Sequence, residues 1–191
     1  MQPIILICGL LGTGKTTASK ILEKELPEYI RFNTDDTRHK LGLKKFDIKD
    51  TPTVNATMYD SARDLLNNKK PIMFESAYKT KFARQKIYEI AKYYDIPVVV
   101  IECVCSPEEA KRRIKTRKGR QDGVYRCTND PSVYDDYVKL FESTTKDMKD
   151  PKNEFVTFVE WDTEKNQLKE LRVNKLTKNQ VNLIEQALKK R

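Results

Sequence analysis

The segment Gly9-Leu10-Leu11-Gly12-Thr13-Gly14-Lys15-Thr16 satisfies G-x-x-x-x-G-K-[ST] at every fixed position, and the apolar run Ile4 to Cys8 leads directly into it. That context restricts the fold to one in which a strand buried on both faces delivers a tight glycine loop to the first turn of a helix. The glycines allow backbone N–H groups to turn inward around phosphate oxygens with no side chain in the way. The helix N-terminus adds its partial positive charge. Lys15 is expected to reach the β and γ phosphates of ATP or GTP, and the Thr16 hydroxyl to complete the shell of a bound Mg2+. The expected nucleotide-binding set is Gly9, Gly12, Thr13, Gly14, Lys15, Thr16 and Thr17.

The rest of the chain alternates strand and helix patterns. Lys15 to Leu26 carries Ala18, Ile21, Leu22 and Leu26 at helical spacing and stops at Pro27. Tyr29 to Phe32 reads as a short strand that delivers the polar cluster Asn33-Thr34-Asp35-Asp36-Thr37-Arg38, and Thr53 to Leu66 as an amphipathic helix. Pro71 to Phe74 is a strand ending at Glu75-Ser76-Ala77, and Phe82 to Tyr94 is a helix. Pro97 to Val104 is almost wholly valine and isoleucine, and Ser106-Pro107-Glu108-Glu109 then caps a strongly basic helix that runs toward Arg120. Lys118 to Pro131 has weak periodicity, two glycines and a proline, which predicts a mobile loop. Ser132 to Thr145 returns to helix. Glu154 to Trp161 reads either as the last strand of the main sheet or as the first arm of a hairpin completed by Leu168 to Val173. Thr177 to Lys189 forms a final helix with a Thr-x-x-Gln capping box. Such alternation predicts an α/β fold with a parallel sheet covered on both faces, and 191 residues predict one domain, 1–191, with its hairpin and helix at 154–191.

Lysine and arginine outnumber aspartate and glutamate by 37 to 28, a formal charge of +9, which suits a phosphate-rich partner as well as it suits plain solubility. Cys8, Cys103, Cys105 and Cys127 match neither a zinc knuckle nor a C-x-x-C pair. Ile4 to Cys8 is too short for a membrane span and has no basic segment before it, so a cytoplasmic protein without a membrane partner is expected.

Taken together, the glycine loop, Asn33 to Arg38, Phe74-Glu75-Ser76-Ala77, and Ser106 to Glu109 with Arg113 and Arg117 resemble the P-loop kinase family. That family includes the kinase domain of phage-type polynucleotide 5′-hydroxyl kinases, and related small-molecule and zeta-toxin kinases share much of the pattern. The resemblance covers roughly residues 1–145. It implies a P-loop NTPase of the nucleoside-monophosphate-kinase type, with a five-stranded parallel sheet in the order 2-3-1-4-5 and a lid at about 118–131. It also implies ATP and Mg2+ as cofactors.

By resemblance Asp35 is the general base on the acceptor hydroxyl, and one carboxylate near an in-line acceptor can orient it and take its proton. Asp36 is the alternative base and an expected acceptor contact, and whichever of the two is not the base reads otherwise as a helix cap or first-turn acid. Arg38, about one helical turn beyond Asp35, is expected to hold an anion on the acceptor. Glu75 stands where relatives usually carry aspartate, and an acid there is expected to bind magnesium, directly or through water, or to orient the acceptor. Ser76-Ala77-Tyr78 departs from the threonine or asparagine common nearby in relatives, which leaves the acceptor open. Arg84 matches a recurrent arginine of the family, which implies a contribution to an acceptor-phosphate site, with a solvated arginine on an exposed helix face as the alternative. Arg113 and Arg117 belong to the lid by resemblance, either one offsetting charge on the transferred phosphoryl group, with Arg113 preferred. His39 reads as a surface residue or one just behind the site, and Trp161 as packing, with a base-stacking platform as the alternative.

The expected partners are ATP and a hydroxyl-bearing acceptor, preferably a DNA or RNA 5′ end. A small metabolite, nucleoside or sugar is the alternative acceptor. A nucleotide-dependent hydrolase or binding module is the other class, and no guanine-specifying N-K-x-D motif supports a GTP switch.

Overall fold

The computed structural model describes residues 2–43, 47–116 and 130–190. The apolar run Ile4–Cys8 is β1, buried at every residue. The other strands are β2 (Ile30–Asn33), β3 (Ile72–Glu75), β4 (Val98–Val104), β5 (Val156–Asp162) and β6 (Gln167–Arg172). They form one sheet in the order β2-β3-β1-β4-β5-β6. The first five are parallel in the expected order, and β6 adds an antiparallel edge on β5. Both readings of β5 therefore hold, since it closes the parallel sheet and opens the hairpin.

The helices are α1 (Lys15–Glu25), α2 (Thr34–Lys40), α3 (Thr51–Asn67), α4 (Lys81–Tyr93), α5 (Pro107–Lys115), α6 (Val133–Leu140), α7 (Thr145–Met148) and α8 (Lys178–Lys189). Side chains alternate across each strand, so the all-apolar central strands feed two separate cores. Ile4, Leu6, Phe74, Val98 and Val100 pack with Met58 and Leu66 of α3 and Ile87 and Tyr88 of α4. Ile5, Ile7, Met73, Val99 and Ile101 pack with Leu22 of α1 and Ile184 and Leu188 of α8. Trp161 is buried in this second core, which makes it packing and not a platform for a base.

Two helical expectations are corrected. The helix over Ser132 to Thr145 stops at Leu140 because the following residues are taken by other contacts. Glu142 donates its N–H to the Lys79 carbonyl (2.7 Å) and accepts the Lys81 N–H (2.7 Å), while Glu102 accepts the Thr144 N–H (2.9 Å) and hydroxyl (2.6 Å). The capping box of α8 does not form. Instead the Thr177 hydroxyl donates to the Asn174 carbonyl (2.9 Å) and shares a 2.6 Å hydrogen bond with Thr157.

The Ser106 cap of α5 forms as expected, its hydroxyl accepting the Glu109 N–H at 3.3 Å. Arg117 and the expected lid lie outside the described residues, apart from Asp130 and Pro131. Among the described residues no helix is long and apolar enough to cross a membrane.

Candidate active site

The loop between β1 and α1 lies at the carboxyl end of the parallel strands, where this class of sheet binds its ligands. Gly9 and Gly12 have φ of +137° and +78°, and a Cβ at either would lie 2.4 Å from a carbonyl oxygen, of Cys103 and Ala110 respectively. Both positions are therefore closed to any larger residue. Gly14 caps α1 in the left-handed conformation with no side-chain cap. Ala18 N–H bonds the Gly14 carbonyl at 2.9 Å. The N–H groups of Lys15, Thr16 and Thr17 precede that first helical bond and project from the helix end. The Lys15 ammonium turns back over the loop and donates to the Leu10 carbonyl at 2.6 Å. Backbone donors and one ammonium around a cradle kept clear of Cβ atoms fit a polyphosphate chain.

The Thr16 hydroxyl donates to Oε1 of Glu75 at 3.2 Å. A hydroxyl whose hydrogen is taken by a carboxylate presents its lone pairs outward, and a hydroxyl beside a carboxylate is a donor set that fits magnesium. Glu75 is buried at the end of β3. Its second oxygen, Oε2, accepts from the Ser19 hydroxyl (3.4 Å), the Arg31 guanidinium (3.3 Å) and the Asn33 amide.

Asn33 also caps α2, its Oδ1 accepting the N–H groups of Asp35 (2.7 Å) and Asp36 (3.1 Å). Neither aspartate is the cap, then, and the two have different fates. Asp36 is engaged by Arg31 at 2.7 Å. Asp35 is half-buried, and burial pushes its carboxyl up to about 6, helped by the charges of Glu75 and Asp36 and opposed by Arg38 and Lys15. Its electrostatic neighbours thus include the lysine of the phosphate loop and the acid of β3.

Two residues expected at an acceptor site are elsewhere. Arg38 is buried and donates to the Asp47 carbonyl (3.3 Å) and the Thr51 hydroxyl (2.8 Å), with the Asp50 carboxylate 3.7 Å away. It braces α2 against the start of α3 and reaches Asp35 as a charge, so its assignment as an acceptor-anion contact is corrected. Arg84 is 0% exposed and makes a two-pronged pair with Asp147 at 2.6 and 2.9 Å. It also donates to the Tyr78 carbonyl at 2.9 Å, and Tyr88 donates to the same Asp147 at 2.8 Å. A guanidinium sealed in this way is a structural tie between α4 and α7 and contacts no acceptor. His39 is exposed, as expected.

Arg113 stands beside the phosphate loop. It donates to Glu109 (2.6 Å), to the Thr163 hydroxyl (2.7 Å) and to the Gly12 carbonyl (3.4 Å). Sequence reasoning missed Thr163, Ser19 and Arg31, and it named Asn33 without a role. The position of Thr163 just after a parallel strand was the one signal that marked it. A cleft of about 630 Å3 runs along the outer edge of β2, walled by Arg31, Asp36, Glu23 and Lys40, and its lining contains no residue of the phosphate loop.

A family model described as an AAA domain matches residues 4–131. The Protein KTI12 homolog of Xenopus laevis is 23% identical over 149 residues, 74% of this chain and 50% of that protein. The chain thus spans about half the length of this curated relative. The Mycobacterium tuberculosis APS kinase CysC, solved with AMPPNP and APS, superposes with a TM-score of 0.58 at 16% identity, over 96% of this chain and 98% of that one. The Pnkp1/Rnl/Hen1 RNA repair complex superposes with a TM-score of 0.60 at 17% identity, over 78% of this chain and 46% of that one. At these identities the likeness to solved structures is one of fold.

Proposed function

The chain belongs to this AAA domain family and has a P-loop kinase-like, nucleotide-binding fold, and from that premise we propose that it transfers the γ phosphate of ATP to a hydroxyl acceptor, with Asp35 as the base. The observation that carries this reading is the contrast between the two aspartates of α2. Asp36 is ion-paired with Arg31, whereas Asp35 is half-buried near the charges of Lys15 and Glu75 and is pushed up to about 6. A general base has to be ionised at working pH yet still attract a proton, and a carboxyl near 6 meets both conditions at neutral pH.

The roles follow from the contacts. The N–H groups of the loop and Lys15 hold the β and γ phosphates. Thr16 and Glu75 hold magnesium, which when bound neutralises charge on those phosphates. Asp35 orients the acceptor hydroxyl and accepts its proton as the new O–P bond forms. The bond to the β-phosphate oxygen breaks, and ADP leaves with the electron pair. Arg113, held beside the loop by Glu109, Thr163 and the Gly12 carbonyl, is the preferred cation to offset charge on the transferred phosphoryl group, and Arg117 is the alternative.

The preferred acceptor is a polynucleotide 5′ hydroxyl. The family resemblance around Asp35, the charge of +9 and the fold shared with the Pnkp1 complex support it. Incubating the protein with γ-labelled ATP and magnesium, with and without 5′-hydroxyl DNA or RNA, tests the reading. Label on the oligonucleotide is the expected result. Label on a member of a panel of metabolites, nucleosides and sugars keeps the kinase and replaces the acceptor. Acceptor-independent release of phosphate alone replaces the kinase with a nucleotide-dependent hydrolase.

A further inference from the structure

Arg31 lies on β2, the outermost strand at its end of the sheet, with a side chain only 11% exposed. Its guanidinium meets three carboxylates from three elements: Asp36 of α2 at 2.7 Å, Glu75 of β3 at 3.3 Å and Glu23 of α1 at 3.3 Å. Burial alone would weaken its hold on its proton, but the charges of Asp36, Glu75 and Glu23 outweigh that effect and keep it protonated.

The two oxygens of Glu75 are treated differently. Oε2 takes Arg31, Ser19 and the Asn33 amide, while Oε1 takes the Thr16 hydroxyl. A carboxylate fixed at one oxygen by three donors cannot rotate, so its other oxygen stays on Thr16. We propose that Arg31 is a positioning residue for the magnesium site: its fork separates the carboxylates of Glu75 and Asp36 and locks Glu75 with Oε1 toward Thr16. The inference rests on the reading that Thr16 and Glu75 hold the metal. Without the guanidinium, two neighbouring carboxylates lose their shared counter-ion and Glu75 can turn.

ADP affinity measured by calorimetry with Mg2+ and with EDTA, alongside thermal melting, tests the proposal on the whole chain. The variants are Arg31→Met, Arg31→Lys, and Glu23→Gln as a control at a half-exposed partner. Arg31→Met should keep its metal-free ADP affinity within about twofold and lose tenfold or more of the magnesium-dependent gain. Arg31→Lys, a point charge that cannot span both acids, should lose about threefold. Glu23→Gln should match the wild type. A residue with a purely structural role would lower the melting temperature and leave the magnesium-dependent gain intact.

A folded Arg31→Met with the wild-type gain overturns the inference and leaves the magnesium reading standing. If Arg31→Met does not fold, Arg31→Lys decides, and a wild-type gain in that variant overturns the inference. A wild-type protein with no magnesium-dependent gain overturns the reading of Thr16 and Glu75, and this inference falls with it.

Discussion

Thr163, the residue after β5, donates its hydroxyl hydrogen to the backbone carbonyl of Thr13 at 2.9 Å, joining positions 150 residues apart. Its N–H continues the sheet by bonding the Val104 carbonyl at 2.9 Å, and its oxygen accepts from Arg113 at 2.7 Å. The phosphate loop therefore takes its shape partly from the far side of the sheet. Thr163→Val keeps the volume and removes the hydroxyl, leaving the Thr13 carbonyl and the Arg113 fork each short of a partner. An unmade buried hydrogen bond costs about 1–3 kcal/mol. ADP affinity by calorimetry should fall about tenfold, and unchanged affinity would show that the loop holds its shape without this brace.

Lys15 supplies the one side-chain charge inside the loop, donating to the Leu10 carbonyl at 2.6 Å. Truncation leaves the backbone donors and removes the ammonium proposed to hold the β and γ phosphates. Lys15→Ala should abolish transfer from ATP. Radiolabel transfer at wild-type rates would defeat the assignment of the loop.

The buried pair of Arg84 and Asp147, each 0% exposed, makes the opposite kind of prediction. Removing one partner leaves the other charge sealed from water, which costs about 3–5 kcal/mol. Arg84→Met should lower stability by that order in urea unfolding. Acceptor KM measured on the folded fraction should stay at the wild-type value. A selective rise in acceptor KM with normal stability would restore Arg84 to the acceptor site.

What was legible in the sequence was whatever short-range pattern encodes. The glycine loop with its strand and helix, the valine-rich β4 and the Ser106 cap each state their structure locally. Strand order came from the family resemblance, since periodicity does not say which strand lies beside which. Arginines were the least legible residues. In the sequence Arg38 and Arg84 look like solvent-facing or ligand-facing cations, and only the fold brings Asp147, 63 residues away, onto Arg84. Arg31 was hidden for the same reason, because its three acids come from α1, α2 and β3. The capping box of α8 failed through competition, with Thr157 offering Thr177 a partner that no local pattern reveals.

Asp35 links activity to stability with opposite signs. Its carboxyl is raised from the usual 3.8 to about 6, by burial first and then by Glu75 and Asp36. As a base it must be ionised, so kcat/KM should be flat above about pH 6 and fall tenfold per pH unit below it. Asp35→Asn should lose that limb and about 10²-fold or more in transfer, with ATP affinity near wild type. Folding carries the reverse sign, because a raised value in the folded state means that the fold prefers the protonated acid. The associated stability is complete below the unfolded value of 3.8 and is lost as pH rises through about 6. An asparagine never incurs that loss. At pH 7 Asp35→Asn should therefore be more stable than wild type by up to about 3 kcal/mol, and the two should converge below about pH 4. Urea unfolding across that range measures the difference. A variant that is inactive but no more stable at pH 7 would mean that Asp35 is not held against its charge, and the case for it as a tuned base would fail.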